Sequence, residues 1–172
     1  MPATVLRHTD YTLMPWKNCR GETREIARFP ADGDFSWRLS MATVAEDAAF
    51  STFPGVTRTL AVVAGGELDL VVSGEPQRLV IGGLARTFSG EAPASAAPVT
   101  ATVTDLNLMV REGFAGSIEP LGGQVVAAGS YLIAVGDLAA GGIVLGARDA
   151  MLLDEPLVAY SGRGYAVTIS AV

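Results

Sequence analysis

The chain of 172 residues has one histidine, His8, one cysteine, Cys19, and one lysine, Lys17. A single imidazole removes most metal-dependent β-barrel chemistry, which needs two or three histidines on neighbouring strands. A Ser–His–Asp triad would have to be built on His8, in the N-terminal stretch. A single thiol excludes an intramolecular disulfide and a Cys-rich zinc site, and its simplest setting is the cytoplasm. Neither a metal nor a cofactor is expected. Long apolar runs are also missing, since none approaches the roughly 18 residues of a membrane span. The opening stretch "MPATVLRHTDYTL" has no apolar signal core, so no secretion leader is expected. No phosphate-binding glycine motif follows a strand, and the Gly-rich "AAGGIVLG" reads as a turn.

Basic residues are too few to balance the acids. The net charge is −6, which disfavours nucleic acid and anionic membranes as partners. Eleven of the twelve basic residues are Arg. The lone ammonium of Lys17 therefore stands apart, a point charge among planar forks.

Helical periodicity is nearly absent, a short turn at Ala45–Ala49 being the best candidate. Hydrophobic residues make up 49% of the chain, enough for a sizeable core. Their period is that of strands. "SWRLSMATV" (36–44), "TRTLAVVA" (57–64) and "ELDLVV" (67–72) read as strands. Gly65-Gly66, between the last two, predicts a hairpin, because glycine tolerates positive φ. "QRLVIGG" and "TATVTDLNLMVRE" (100–112) follow, then runs at 124–128, 130–135, 142–147, 157–160 and 165–172. The Ala-, Pro- and Ser-rich "SGEAPASAAP" (89–98) reads as an internal loop. About ten to twelve strands, broken by turns every 8–12 residues or so, predict an all-β sandwich or barrel. "LAVVAGGELDLVVSGE" and "YLIAVGDLAAGGIVLGARD" share an order of strand, glycine turn and strand. A duplicated β-unit or two ordinary hairpins would both produce that echo.

Alternation sorts the side chains. Trp37, Leu39 and Met41 share one face and Arg38, Ser40 and Ala42 the other. Leu106, Leu108 and Val110 oppose Asp105, Asn107, Met109 and Arg111 in the same way. The ordinary position for such polar rows is a solvated outer face, and the alternative is a barrel lumen. Arg58 opens a strand apolar on both faces, so it either snorkels to solvent or faces a pocket.

Four ordered blocks carry a resemblance. "PWKN…TREI" (15–26), "WRLSMATV" (37–44), "FPGVTRTL" (53–60) and "DLNLMVR" (105–111) resemble the signature blocks of the HutD/Ves family. The resemblance implies a cupin-type jelly-roll, in this family a compact double-cupin (bicupin) in one chain. Its two β-units would fall near residues 1–98 and 99–172 and share a core. It also implies a metal-free binder of a small anionic metabolite that limits flux through histidine utilisation, with urocanate or N-formylglutamate as ligand. The family usually has glycines directly after "PWKN". Here Cys19 and Arg20 stand in two of those places and only Gly21 remains, which bears on ligand identity.

Within the blocks, Lys17, Arg24, Arg38 and Arg58 are expected to clamp carboxylates, Arg in bidentate fashion. Asn18, Thr23, Ser40 and Asn107 supply hydrogen bonds, and Glu25 and Asp105 accept from an N–H or hold an Arg. Two other readings stand beside this one. In the first, the protein is a cofactor-free hydrolase or isomerase with Lys17 and Glu25 as acid–base groups. In the second, it is an interaction protein that forms a homodimer through a sheet edge at "AVTISAV".

Overall fold

A computed structural model describes residues 3–16 and 21–172. Lys17 and Asn18 of the expected ligand set lie outside the described residues, as do Cys19 and Arg20. The all-β expectation holds, with no α-helix among the described residues. No helix is long and apolar enough to cross a membrane.

The strands are β1 (Ala3–Leu6), β2 (Thr12–Pro15), β3 (Gly21–Phe29), β4 (Trp37–Val44), β5 (Ala48–Ala49), β6 (Val56–Ala64), β7 (Leu68–Val72) and β8 (Glu75–Leu79). They continue as β9 (Arg86–Ser89), β10 (Ala94–Pro98), β11 (Val103–Arg111), β12 (Phe114–Pro120), β13 (Tyr131–Ala140), β14 (Ile143–Leu145), β15 (Ala150–Leu153) and β16 (Tyr160–Ala171). A 3-10 turn at His8–Asp10 joins β1 to β2.

Three sheets form from them. The central sheet has the order β2-β3-β4-β11-β6-β9, and the front sheet β5-β10-β7-β8. The rear sheet runs β1-β15-β13-β16-β12, with β14 paired to β13. The central sheet packs apolar side chains against both neighbours. Leu39, Met41, Ala61, Val63, Leu106 and Leu108 meet Ile133, Tyr165 and Val167 of the rear sheet. On the opposite face Val44, Leu60, Val62 and Val103 meet Leu68, Leu70, Val72 and Leu79 of the front sheet. A third core, with Leu132, Leu138, Met151 and Leu153, lies on the far side of the rear sheet beneath Val126 and Leu157. Each fully buried Leu contributes about 1.5–3 kcal/mol, so these double-sided strands hold the layers together. Tyr165, wholly buried, adds a polar pin: its hydroxyl donates to Gly83 O at 2.7 Å.

Several expectations are corrected. Gly65-Gly66 is not a hairpin turn: β6 belongs to the central sheet and β7 to the front one. The glycines carry the chain round a corner between layers. Gly65 has φ +88°, and a Cβ there would meet Thr102 O at 2.0 Å. A strand apolar on both faces suits a sheet covered on both sides better than a half-exposed hairpin. The second half of the supposed echo is a true hairpin, β13 to β14 through Gly141-Gly142, both with positive φ. The two stretches therefore do different jobs.

The 89–98 loop contains β10, which pairs with β7, and the 45–49 turn contains β5 instead of a helical turn. The runs at 124–128 and 157–160 meet through one bridge, Val126 to Leu157. Of "AVTISAV" in β16, Ala166 and Val167 pair with both β13 and β12, whereas Thr168, Ile169, Ser170 and Ala171 pair with β12 alone. β11 sits between β4 and β6 in the central sheet, and the chain passes to the rear sheet after Arg111. β1 crosses in the other direction and pairs with β15.

One carboxylate ties that N-terminal segment down. Asp149, 5% exposed, accepts from the backbone N–H of His8 at 3.0 Å, Arg7 Nη1 at 2.7 Å and Gly146 N–H at 3.0 Å. His8 Nδ1 lies 3.2 Å from it. Burial alone would raise its pKa, but the hydrogen bonds prevail and hold it down at about 2. The stabilisation this represents is fully present above the ordinary carboxylate range and is lost as pH falls through about 2. Asp149→Ala is therefore expected to cost roughly 2–3 kcal/mol at neutral pH. Urea unfolding checks it, and a gap between variant and parent that does not shrink in acid would contradict the assignment.

Candidate functional site

The polar rows point inward. On the front face of the central sheet, Arg38, Met109 and Arg58 lie side by side across β4, β11 and β6. Ser40, Asn107 and Leu60 form the next row, and Ala42, Asp105 and Val62 the one after. β3 extends the rows, with Glu25 opposite Ser40 and Thr23 opposite Ala42. An irregularity between Glu25 and Ala27 changes the register there, and Ile26 and Ala27 pack into the rear core. The solvated-face reading is thus overturned: Ser40 is 3% exposed, Arg58 5%, Asp105 1% and Asn107 6%. A solvated row would need this face of the sheet open to water, and it is buried instead.

Arg58 does not snorkel. Its guanidinium lies 4.8 Å from the ring centre of Phe50 and 5.6 Å from those of Phe53 and Phe88. Three π-faces replace part of the lost water, and Nη1 reaches Ser51 O at 3.5 Å. Burial lowers its pKa, Asp105 opposes that shift and Arg38 adds to it. Burial also pushes the carboxyl of Asp105 up to about 7, against the pull of Arg58 and a hydrogen bond from the backbone of Ala42. Asp105 is therefore poised between carboxylate and carboxylic acid near neutrality, able to accept or donate. Arg38 Nε lies 3.0 Å from Glu25 Oε2, and its Nη2 is 3.3 Å from the Met14 sulfur. Five buried atoms have no hydrogen-bond partner among the described residues: Arg38 Nε and Glu25 Oε2, which face each other only as an ion pair, and Arg58 Nε, Asp105 Oδ1 and Asn107 Oδ1. Such atoms cost free energy and mark a place where a further polar partner fits.

Of the expected residues, Glu25, Arg38, Ser40, Arg58, Asp105 and Asn107 come together on this face. Thr23 shares it and accepts a hydrogen bond from Trp16 Nε1 at 2.9 Å. Arg24 does not join them. It points to the rear, where its Nε lies 3.2 Å from Glu22 Oε1. A cavity of about 240 Å³ opens there, lined among others by His8, Tyr11, Arg24, Thr43, Thr104 and Arg148. Sequence reasoning missed the phenylalanines around Arg58. Phe53 stands inside the "FPGVTRTL" block, three residues before β6, and was the available signal.

The fold and site define an all-β protein whose middle sheet carries a buried, charged face in the N-terminal two-thirds of the chain. The chain belongs to the HutD family, whose sequence model matches residues 8–121. It is 41% identical over 107 residues to an uncharacterized 21.2 kDa protein in the hutC 3′ region of Pseudomonas putida, covering 61% of this chain and 56% of that protein. It is 37% identical over 106 residues to protein Ves of Cronobacter sakazakii, covering 59% of each. The matches thus span just over half the length of these curated relatives. Likeness to the solved structure of HutD from Pseudomonas fluorescens SBW25 covers 99% of this chain and 100% of that one, with a TM-score of 0.84 at 28% identity.

Proposed function

We propose that the front face binds a small anionic metabolite of histidine catabolism, N-formylglutamate or urocanate, and that the protein thereby modulates flux through that pathway. The observation that carries this reading is Arg58, buried among three aromatic rings, whose Nε has no partner among the described residues, beside oxygens of Asp105 and Asn107 that likewise have none there. Arg58 supplies a desolvated cation for a carboxylate. Asp105, protonated, donates to the same anion. Asn107 Oδ1 accepts an N–H such as that of a formamide. The pathway is supported by the name of the Pseudomonas putida relative, which places that protein beside hutC.

A bicupin arrangement goes with this reading. The central and front sheets enclose one core, and the rear sheet with its overlying segments encloses another. A cytoplasmic location and a metal-free site go with it too. Of the two acid–base groups in the hydrolase or isomerase reading, Lys17 lies outside the described residues and Glu25 is held by Arg38 in an ion pair. A homodimer through the end of β16, where Thr168, Ile169, Ser170 and Ala171 are paired on one side only, is tested separately by light scattering.

Thermal-shift titration with N-formylglutamate, urocanate, glutamate and histidine tests the binding. A ligand at a hundred times its Kd stabilises the native state by about 2.7 kcal/mol. For a chain of this size that raises Tm by roughly 5–10 °C. No shift with any of the four at millimolar concentration would exclude the proposal.

A further inference from the structure

We infer that the cavity on the rear face of the central sheet is a second binding site, one that takes small carboxylates. It lies where the edge of that sheet meets the His8–Asp10 turn and the loop between β14 and β15. Its nitrogen donors come from three separate segments: His8 from the turn, Arg24 from β3 and Arg148 from the loop.

Each donor is already positioned. The His8 ring is held at Nδ1 by Asp149, 3.2 Å away. Arg24 meets Glu22 through Nε, and the terminal nitrogens of its fork make no hydrogen bond or ion pair with another described residue. Arg148 has φ +72°, a left-handed conformation that a side chain adopts at a cost of about 1 kcal/mol or more. The Tyr11 hydroxyl holds it there by donating to Arg148 O at 2.7 Å. Among the described residues no carboxylate pairs with the Arg148 guanidinium. A glycine would take this backbone without strain, whereas arginine brings a cation to the cavity wall.

Planar guanidinium forks match carboxylates, and the hydroxyls of Thr43 and Thr104 add hydrogen bonds beside them. The one acidic side chain on the wall, Glu22, is engaged by Arg24. A volume of about 240 Å³ admits a short mono- or dicarboxylate. The two sites stand back to back without sharing side chains. Arg24, Thr43 and Thr104 line the rear cavity, whereas their chain neighbours Thr23, Ala42 and Asp105 lie on the front face.

His8, the sole histidine, serves as a built-in reporter. Succinate is titrated into the full chain while the His8 ring resonances are followed by NMR, with the neutral succinamide as control. Expected is a saturable shift with succinate at millimolar concentration and none with succinamide. Arg148→Gly, which relieves the backbone strain, is expected to weaken binding at least about tenfold, and Arg24→Gln similarly. Arg58→Met, on the front face, leaves the shift unchanged. The inference is overturned if the His8 signals stay put, if succinamide or sodium chloride moves them equally, or if both rear-cavity variants bind as the parent does.

Discussion

Arg58→Met is expected to lower N-formylglutamate affinity roughly 30- to 1,000-fold, read by calorimetry, in a chain that still folds. The range corresponds to 2–4 kcal/mol for removing one member of a desolvated charge contact, here between Arg58 and the ligand carboxylate. Methionine keeps much of the volume and can still lie against Phe50, Phe53 and Phe88. Removing one member of a buried ion pair is destabilising when the other is left charged, and is better tolerated when no lone charge remains. At about pH 6 Asp105 retains its proton, so no carboxylate is left alone when the guanidinium goes. At alkaline pH that proton must be lost or kept at a cost, and the variant should become less stable than at pH 6. Affinity within a few-fold of the parent would remove the front face as the ligand site. Unfolding at pH 6 would make Arg58 a structural residue first.

Asp105→Asn is expected to raise the unfolding free energy above neutral pH by roughly 2–4 kcal/mol. The sign follows from where protons are held. The folded chain keeps the Asp105 proton up to about pH 7, whereas the unfolded chain releases it near 3.8. Between those values the native state binds more protons, so the parent loses stability as pH rises through the window. Above it the full penalty of a buried carboxylate is present. The amide mimics the protonated acid, cannot ionise and flattens that slope. Urea unfolding at about pH 5 and about pH 8 gives the comparison. A variant destabilised equally at both would mean that Asp105 is ionised against Arg58 throughout.

Alternation along two strands placed Arg38, Ser40, Asp105 and Asn107 in one class, and they share a face in the structure. Which side of the sheet was interior could not be read from those strands, because it depends on the front sheet, built from β7, β8 and the Ala-rich β10. A run such as "ASAAP" has too little apolar contrast to announce a strand. Arg24 was grouped with the ligand set through its block, although Thr23 and Glu25 flank it on the opposite parity. Strict alternation separates it. Gly65-Gly66 shows a different limit: the same letters make a hairpin turn or a corner, and the choice lies in whether the preceding strand is covered on one side or both. The aromatic surround of Arg58 comes from Phe50, Phe53 and Phe88, far enough apart in sequence that only the fold gathers them.

The pairing of Ala3 with Leu153 bears on how the chain folds. β1 precedes β2 to β11 in the chain, whereas its partner β15 follows them. Strands β2 to β11, which build the central and front layers and the proposed ligand face, all lie in between. That unit can complete its own hydrogen-bond ladders while β1 still waits with an unsatisfied edge, and β15 then fastens β1 to the rear sheet. Pairing over so long a stretch of chain is slow, which makes the contact of Ala3–Leu6 with Ala150–Leu153 a clasp expected to close late.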